Sequence, residues 1–577
     1  MTELLVVGIV ALLVIAGAAV LGPRIGVAAP LVLVTVGIVA SLVPWIPTVE
    51  VDPEWILAGV LPPLLYSSAV SMPTMNFRRE FGAISGLSVV LVVASSLVLG
   101  LFFAWVVPEL GLAWGIALGA IVSPTDAVAT SIVKQTSVSR RVVAILDGES
   151  LLNDATALVL LRTAIVAAGA TFSFWGAVGD FAFAVAVAVA IGLVVGWLNL
   201  VVRARVANPT VNTALSFAVP FVASIPAESL HASGLVAAVV AGLVTGIRAP
   251  RVLPPNHRLS DAQNWGTVEF VLEGAVFLVM GLELASIIGD VQHDHAGVGP
   301  ALLIALGALV LTVLVRAAYV VPLLFGLTRS AERQARMQGR LQDYRNADHE
   351  TASAALQGHR LGNRAPSERD LERFGGRVRQ MLADIQYFRK APLGWREGTT
   401  VVWAGMRGAV TVAAAQTLPQ DTPERSLLVF VAFAVAGFSL LLQGGTIGPL
   451  LRRISPPAAD RAEADAEERR RLLVVMRAAA EATQADAPTQ ADAPTQADAP
   501  TPSTPRTREE LEAADPAELR AWFGQEKVRR LRVLDAQRAA LLDARDDGTF
   551  DAEVLESVLK NVDAEQIALE LRGGPTV

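Results

Sequence analysis

The sequence contains no cysteine, and it has few charged residues over most of its length. The absence of cysteine excludes disulfides, thiol catalysis and thiolate metal sites. Charged residues make up 18% of the 577 residues, and they are concentrated in two regions, 328–397 and 452–577. Long apolar runs fill the rest, and hydrophobic residues make up 53% of the whole chain. This composition is typical of a membrane protein with a soluble tail.

Thirteen apolar stretches are candidates for membrane-spanning helices, each of which needs about 20 mostly apolar residues. We number them as spans one to thirteen in chain order. They cover residues 3–22, 26–46, 54–72, 81–107, 111–133, 141–168, 174–202, 210–225, 231–247, 261–288, 299–326, 398–417 and 425–451. The pattern predicts an all-α polytopic membrane protein with about 13 transmembrane helices.

Basic residues alternate along the predicted loops. The loops after spans one, three, five, seven and nine carry Lys or Arg, whereas the loops after spans two, four, six, eight and ten carry neither. The basic residues are Arg24, Arg78, Arg79, Lys134, Arg140, Arg141, Arg203, Arg205, Arg248, Arg251 and Arg258. By the positive-inside rule, the N-terminus is predicted to lie outside, and the 328–397 loop and the C-terminal tail are predicted to be cytoplasmic.

Span six carries the polar string Gly148-Glu-Ser-Leu-Leu-Asn-Asp154 within an otherwise apolar stretch. A charged side chain at the bilayer centre costs about 2.5–3.5 kcal/mol, so two acids here require a reason, of which ion transport is the commonest. Ser150 and Asp154 are four residues apart and share a helix face, and Glu149 and Asn153 form the adjacent pair. Their oxygens are hard ligands that suit an alkali cation. The alternative interpretation is a buried structural polar network.

Spans five and twelve are each interrupted by residues that disfavour a continuous helix. Span five contains Ser123-Pro-Thr-Asp126, and its proline should break the helix and free carbonyls beside Asp126. A simple kink with Asp126 facing cytoplasmic water is the alternative. Span twelve contains Gly405-Met-Arg407-Gly408, with the charge near mid-span. If spans one to six and eight to thirteen are two halves, the two interruptions correspond, which is typical of a transporter's binding site.

Two further charges within predicted spans are expected to be paired. Arg316 lies near the middle of span eleven, and Glu273 lies inside span ten. Buried charges in membrane segments usually pair with one another, so we predict structural roles for both.

The charged regions divide the chain into five predicted segments. They are the first part of a transmembrane domain (1–327), a cytoplasmic helical loop (328–397), the last two spans (398–453), a charged helix with a low-complexity linker (454–505), and a helical tail (506–577). The linker repeats Thr-Gln-Ala-Asp-Ala-Pro three times and cannot bury a core. The spacing of apolar residues in the tail predicts a helical hairpin with a turn at 546–549. Structure or regulation is expected of these parts rather than catalysis.

At the residues named above the chain resembles the monovalent cation:proton antiporter-1 family, the bacterial and eukaryotic sodium/proton exchangers. The resemblance covers residues 1–451, and the Gly148–Asp154 string is its most specific element. The other matching strings are Ser123-Pro-Thr-Asp126, Met280-Gly-Leu-Glu283 and Arg407-Gly-Ala409. The resemblance implies a 13-helix exchanger fold with inverted repeats, two broken crossing helices, and a homodimer.

The resemblance also implies roles for individual residues. Asp154 would bind the cation or the proton. The supporting ligands would be Asn153, Ser150, Thr125 and Asp126, so that Asp154, Asp126, Ser150 and Thr125 would hold sodium. Glu149 would pair with Arg316, and Arg407 would stabilise the helix crossing. Two departures are visible: Ala127 follows Asp126 where the family often has proline, and the segment 62–71 lacks the acid that some archaeal members supply.

The expected activity is secondary active exchange of sodium for protons at the plasma membrane of a bacterium, with no cofactor and no nucleic-acid partner. Burial disfavours an ionised Asp154, so a proton or a sodium ion must neutralise it, and competition between them couples the two fluxes. Because Asn153 replaces a second acid, one proton is exchanged for one cation, and alternating access moves the site. The alternatives are a potassium/proton antiporter with the same site, an ion channel, and an intramembrane aspartyl protease using Asp126 and Asp154.

Overall fold

A computed structural model describes residues 2–43, 52–169, 174–293, 297–346, 368–455, 458–485 and 515–572. All regular secondary structure within these residues is helical. Most of the Thr-Gln-Ala-Asp-Ala-Pro linker, at 486–514, lies outside the described residues. The chain divides into two compact units, of which the first comprises residues 1–253, 257–334 and 388–458.

The helices up to residue 454 belong wholly or partly to the first unit, and all of them except the helix Glu368–Lys390, which lies in the predicted loop 328–397, correspond to the predicted spans. They are α1 (Thr2–Ile25), α2 (Ala29–Ser41), α3 (Trp55–Ser71), α4 (Thr74–Val106), α5 (Gly111–Val122), α6 (Val128–Lys134), α7 (Arg140–Gly169), α8 (Phe174–Arg203), α9 (Pro209–Ser229), α10 (Gly234–Val252), α11 (Pro255–Leu282), α12 (Leu284–His293), α13 (Val298–Asn346), α14 (Glu368–Lys390), α15 (Trp395–Trp403), α16 (Ala409–Gln416) and α17 (Arg425–Ile454). Helices α13 and α14 extend into both units.

Nine of the described helices are long and apolar enough to cross a membrane, and three shorter ones are also apolar. Every predicted span overlaps one or two of the helices α1 to α17, and span twelve overlaps α15 and α16, which are too short to belong to this set. The all-helical fold class is confirmed, and the count of thirteen spans stays a prediction.

The two interrupted spans are each divided into two helices. Span five becomes α5 and α6, and span twelve becomes α15 and α16. The first break falls at Pro124, which has no backbone N–H to donate. The second break lies between Trp403 and Ala409, where two of the residues are glycines. Span five is therefore broken as predicted, and the alternative of a simple kink in a continuous helix is not what the structure contains.

Close helix contact at small residues fixes the broken span α5 against α4. A Cβ placed on Gly115 would lie 2.5 Å from the carbonyl oxygen of Gly100, and one on Gly119 would lie 2.4 Å from that of Ser96. Contacts this short exclude any side chain, so the backbones approach directly.

Two buried ion pairs hold the long helices together. Arg141, at the start of α7, donates to Glu80 of α4 at 2.6 Å and to the Ala391 carbonyl at 2.7 Å. Arg203, at the end of α8, pairs with Asp261 of α11 and donates to Asn212 of α9 at 2.7 Å. Both arginines were predicted only as loop charges, but their side chains are 4% and 1% exposed.

The second unit comprises residues 254–256, 335–387 and 459–577. Its helices α18 (Ala458–Ala485), α19 (Pro516–Asp547) and α20 (Ala552–Leu571) share an apolar core. The core residues include Leu472 of α18, Leu541 of α19 and Leu555 of α20. The predicted hairpin is thus α19 and α20, and the charged helix placed with the linker from the sequence packs with this hairpin.

Candidate functional site

The two helix breaks cross each other and share hydrogen bonds. The backbone N–H of Asp126 donates to the carbonyl of Met406 at 2.7 Å. From the other break, the Arg407 guanidinium donates to the carbonyls of Val122 at 3.0 Å and Ser123 at 3.3 Å. The carbonyls freed at the end of α5 are therefore satisfied by a charge on the crossing segment, as backbone at membrane depth requires.

Arg407 is itself held in place from a third helix. Its backbone N–H donates to the Ser439 hydroxyl at 2.9 Å, and this hydroxyl donates to Gln443 at 2.5 Å. Ser439 precedes a π-helical turn, Leu440–Gly444, in which Gln443 reaches back to the Trp403 carbonyl at 3.3 Å. Arg407 is 2% exposed, so the polar contacts around it replace water.

Asp126 packs directly on the glycine that starts α16. Its Oδ1 accepts from the Val128 N–H at 3.0 Å. A Cβ placed on Gly408 would lie 1.3 Å from Asp126 Oδ2, so any side chain at position 408 would displace the carboxylate. The Asp126 carboxylate therefore lies where α6 and α16 both begin, and helix N-termini stabilise negative charge.

Glu149 and Arg316 form a buried ion pair that extends into a polar network. Arg316 donates to the Glu149 carboxylate at 2.5 and 2.7 Å and to the Val401 carbonyl at 2.9 Å. Thr125 donates to Glu149 at 3.1 Å and accepts from Asn153 at 2.7 Å. Both ions are 2% exposed. The network links α13 to α7 and to the break beside Asp126.

Asp154 lies outside this network and faces a cavity. It is 8% exposed, and within the described part of the chain its carboxylate makes no hydrogen bond or ion pair. The cavity has a volume of about 110 Å³. Asp126, Thr125 and Ser150 line the same cavity as Asp154. The four residues expected to hold sodium therefore border one space, in which two carboxylates and two hydroxyls supply hard oxygen ligands.

Two of the predicted residues have a different placement from that expected. Asn153 does not line the cavity, and it donates to the Thr125 carbonyl at 2.9 Å, so it positions the break rather than facing the space. Glu273, for which a charge partner was expected, has no ion pair among the described residues, and it lines the cavity. Glu273 therefore faces an open space rather than a basic side chain.

One acid of the cavity was missed from the sequence. Glu269 lines it together with Glu273, and it accepts from Ser67 of α3 at 3.1 Å. The spacing of Glu269 could have indicated this placement, because an acid four residues before Glu273 lies on the same helix face. Among the described residues, no group of three or more acidic, histidine or cysteine side chains converges as a metal centre. The acids are thus spread along the cavity.

Known proteins of one family match this chain. A family model described as sodium/hydrogen exchanger, transmembrane, matches residues 9–355 and 373–453. An uncharacterized Na(+)/H(+) exchanger of Mycobacterium tuberculosis is 27% identical over 98% of this chain and 97% of its own length. A sodium, potassium, lithium and rubidium/H(+) antiporter of Bacillus subtilis is 29% identical over 46% of this chain and 41% of that protein.

The fold has a match among solved structures. The sodium proton antiporter MjNhaP1 from Methanocaldococcus jannaschii superimposes with a TM-score of 0.55 at 14% identity, covering 79% of this chain and 100% of that chain. This likeness concerns the fold alone. The family model, in contrast, matches most of the chain and includes both helix breaks and every residue that lines the cavity. The chain therefore belongs to the transmembrane sodium/hydrogen exchanger family, and it is a transporter and not an enzyme.

Proposed function

We propose that this protein exchanges sodium for protons, one for one and without net charge movement, using Asp154 as the shared carrier. The observation that carries the proposal is the Asp154 carboxylate, which is 8% exposed, faces the cavity and has no partner among the described residues. A buried carboxylate without a partner is costly when ionised, so a proton or a cation must neutralise it.

The neighbours of Asp154 support a single exchanged charge. Glu149 is already neutralised by Arg316, and Asn153 beside Asp154 cannot carry a proton. Asp126 accepts a hydrogen bond from the Val128 N–H at the start of α6, and its carboxylate would serve as a further oxygen ligand for the cation. The site then has the same net charge whether Asp154 binds one cation or one proton.

Alternating access and orientation follow as parts of the same proposal. Glu269, which lines the cavity, is close enough to Lys134 and Asp147 for charge interaction. Lys134 borders the loop after span five, which the pattern of basic residues predicts to be cytoplasmic, so the cavity would face the cytoplasm of a bacterial cell. Movement of the crossing helices would then expose Asp154 to the opposite side. A homodimer would supply the fixed part against which they move.

The second candidate is potassium/proton exchange at the same site. The Bacillus subtilis relative is named for sodium, potassium, lithium and rubidium. None of the described residues that line the cavity marks it as specific for sodium over potassium. Bare oxygen ligands of the kind found here coordinate any alkali ion.

Exchange assays in everted membrane vesicles test the proposal. Sodium, lithium and potassium chloride are added separately to vesicles with an established proton gradient, and dequenching of a pH-sensitive dye is followed. We expect dequenching by sodium, with the same rate when potassium and valinomycin clamp the membrane potential. Dequenching by potassium alone would support the second candidate. A rate that changes with the imposed potential would contradict electroneutral exchange.

A further inference from the structure

The cavity in front of Asp154 contains two acids that the proposed carrier mechanism does not use. Glu269 and Glu273 are one helical turn apart on α11, and both line the cavity with Asp126 and Asp154. None of the described residues that line it is a lysine, arginine or histidine. Four carboxylates thus border one small space whose described lining includes no basic side chain, and Lys134, beyond the lining, is close enough to Glu269 for charge interaction.

The two glutamates lie near the residues of the proposed carrier site. Glu273 is close enough to Asp126 and to Glu269 for charge interaction, and Asp126 in turn interacts with Asp154. Glu269 interacts with Asp147, which is paired with Lys134 at 2.9 Å and is 21% exposed. Glu269 therefore lies near a partly exposed ion pair, and Glu273 lies near Asp126 in the cavity that Asp154 also lines.

Like charges one turn apart on a helix repel each other, and partial burial increases the cost. Glu269 has one described hydroxyl donor, Ser67, and Glu273 has none. Independently, Asp154 is more than nine-tenths buried, lacks a partner among the described residues, and faces the same space. Both facts are explained if a cation occupies this cavity.

We propose that Glu269 and Glu273 form an outer cation site, which takes up a hydrated monovalent cation and delivers it to Asp154. This inference rests on the proposed function and extends it to residues of α11. The ligands are hard oxygens, and no third acid converges with them among the described residues, which favours weak binding of an alkali ion over tight binding of a divalent one. The site raises the local concentration of cation in the cavity and leaves the exchange step to Asp154.

Kinetics in proteoliposomes test the outer site with the full chain. The initial exchange rate is measured against sodium concentration for wild type, Glu269→Gln, Glu273→Gln and the double variant. We expect the half-saturating sodium concentration to rise about threefold in each single variant and about tenfold in the double, since a negatively charged cleft concentrates cations by such factors. The maximal rate should stay within about twofold, because Asp154 is intact. Glu273→Asp should restore most of the apparent affinity.

The matched control is Asp180→Asn, which removes one acid from an exposed position of α8. It should leave both the half-saturating concentration and the maximal rate unchanged. A purely structural role for the two glutamates would lower the maximal rate or the thermal stability without shifting the sodium dependence. Unchanged half-saturation in the double variant would overturn the outer site while leaving the proposed exchange intact.

Sodium-dependent thermal stabilisation of the purified protein in detergent gives a readout that does not need transport. Sodium chloride is compared with choline chloride at equal ionic strength. We expect the sodium concentration for half-maximal stabilisation to rise in Glu269→Gln and Glu273→Gln, as in the kinetic experiment. The same midpoint in wild type and variants would contradict the outer site. A wild type that neither exchanges sodium nor is stabilised by it would contradict the proposed function as well.

Discussion

At the scale of single residues, the charges buried at the helix crossing differ in whether they have a partner. Arg407 donates to carbonyls of both breaks, and Glu149 is paired with Arg316. Asp154 is buried to a similar degree but has neither a cation nor a donor among the described residues. A group that gains and loses a ligand in each transport cycle cannot have a permanent partner, and this difference is the reason for proposing Asp154 as the carrier and the paired charges as structural.

The sequence predicted part of this arrangement. The spacing within Gly148–Asp154 placed Ser150 and Asp154 on one face, and both line the cavity. The placement of Glu269 and Glu273 was only partly predictable, because their spacing puts them on one helix face but does not tell whether that face borders a cavity or a charged partner. Asn153 was likewise expected as a ligand, but its contact with Thr125 depends on how α5 ends.

Replacing Gly408 by alanine should abolish most exchange while the protein still inserts. The added Cβ would lie 1.3 Å from Asp126 Oδ2, so the carboxylate must move from the cavity wall. Gly437→Ala is the matched control, since a Cβ there has no atom within 4 Å. Exchange rates at equal protein levels in vesicles give the comparison. Normal exchange by Gly408→Ala would show that the position of Asp126 does not matter.

Replacing Glu149 by glutamine should destabilise the protein by about 3–5 kcal/mol, because it leaves the Arg316 charge buried without its partner. The measurement is thermal unfolding in detergent. The double variant Glu149→Gln with Arg316→Gln should recover part of the loss, as the stranded charge is removed. Losses that simply add in the double variant would argue against an energetically coupled pair.

At the scale of helices, the two breaks bring functional side chains together from distant parts of the sequence. Pro124 ends α5 and the glycines around Arg407 separate α15 from α16, so both interruptions were predictable from local sequence. Their hydrogen bonds to each other were not, because nothing local specifies that Asp126 donates to Met406. The close approach of α4 and α5 at Gly119 also depends on tertiary packing and not on propensity.

Arg407 connects the two broken helices through its hydrogen bonds. We therefore expect Arg407→Lys to lower both the stability and the exchange rate, although it keeps the charge. The guanidinium donates from Nε to Val122 and from a terminal nitrogen to Ser123, and a lysine ammonium cannot reproduce this planar geometry. Losing two buried hydrogen bonds to a charged group corresponds to about 3–6 kcal/mol. Arg425→Lys, at the start of α17, is the comparison, because Arg425 also donates from Nε and a terminal nitrogen to two carbonyls, those of Leu418 and Gln416, but is only partly buried. Equal melting temperatures and rates for both variants would contradict this role.

At the scale of the whole molecule, the cavity and the helices α18, α19 and α20 belong to different compact units. Every residue that lines the cavity belongs to the first unit, and α18, α19 and α20 build a separate core in the second. Composition alone separated the apolar and the charged parts of the chain. It could not show that α18 packs with the hairpin, because the repeats between them carry no information about contacts.

A chain truncated after residue 457 should retain exchange, because it removes α18 to α20 together and leaves the first unit complete. A chain truncated after residue 482 should be less soluble, since it keeps α18 but exposes Leu472, which is fully buried in the full-length protein. Exchange per inserted protein and the monodispersity of the purified variants distinguish the two. Complete loss of exchange in an inserted chain ending at residue 457 would make the second unit part of the transport machinery.

The most direct test of the account is sodium-dependent exchange by Asp154→Asn in proteoliposomes. The substitution keeps the size and polarity of the side chain but removes the group that binds a proton or a cation in turn. Asp180→Asn, at an exposed position, is the matched control for loss of one carboxylate. We predict that Asp154→Asn inserts normally and shows no exchange with sodium, lithium or potassium, whereas Asp180→Asn exchanges like wild type. Exchange by Asp154→Asn at a rate comparable to that of wild type would contradict the assignment of Asp154 as the carrier.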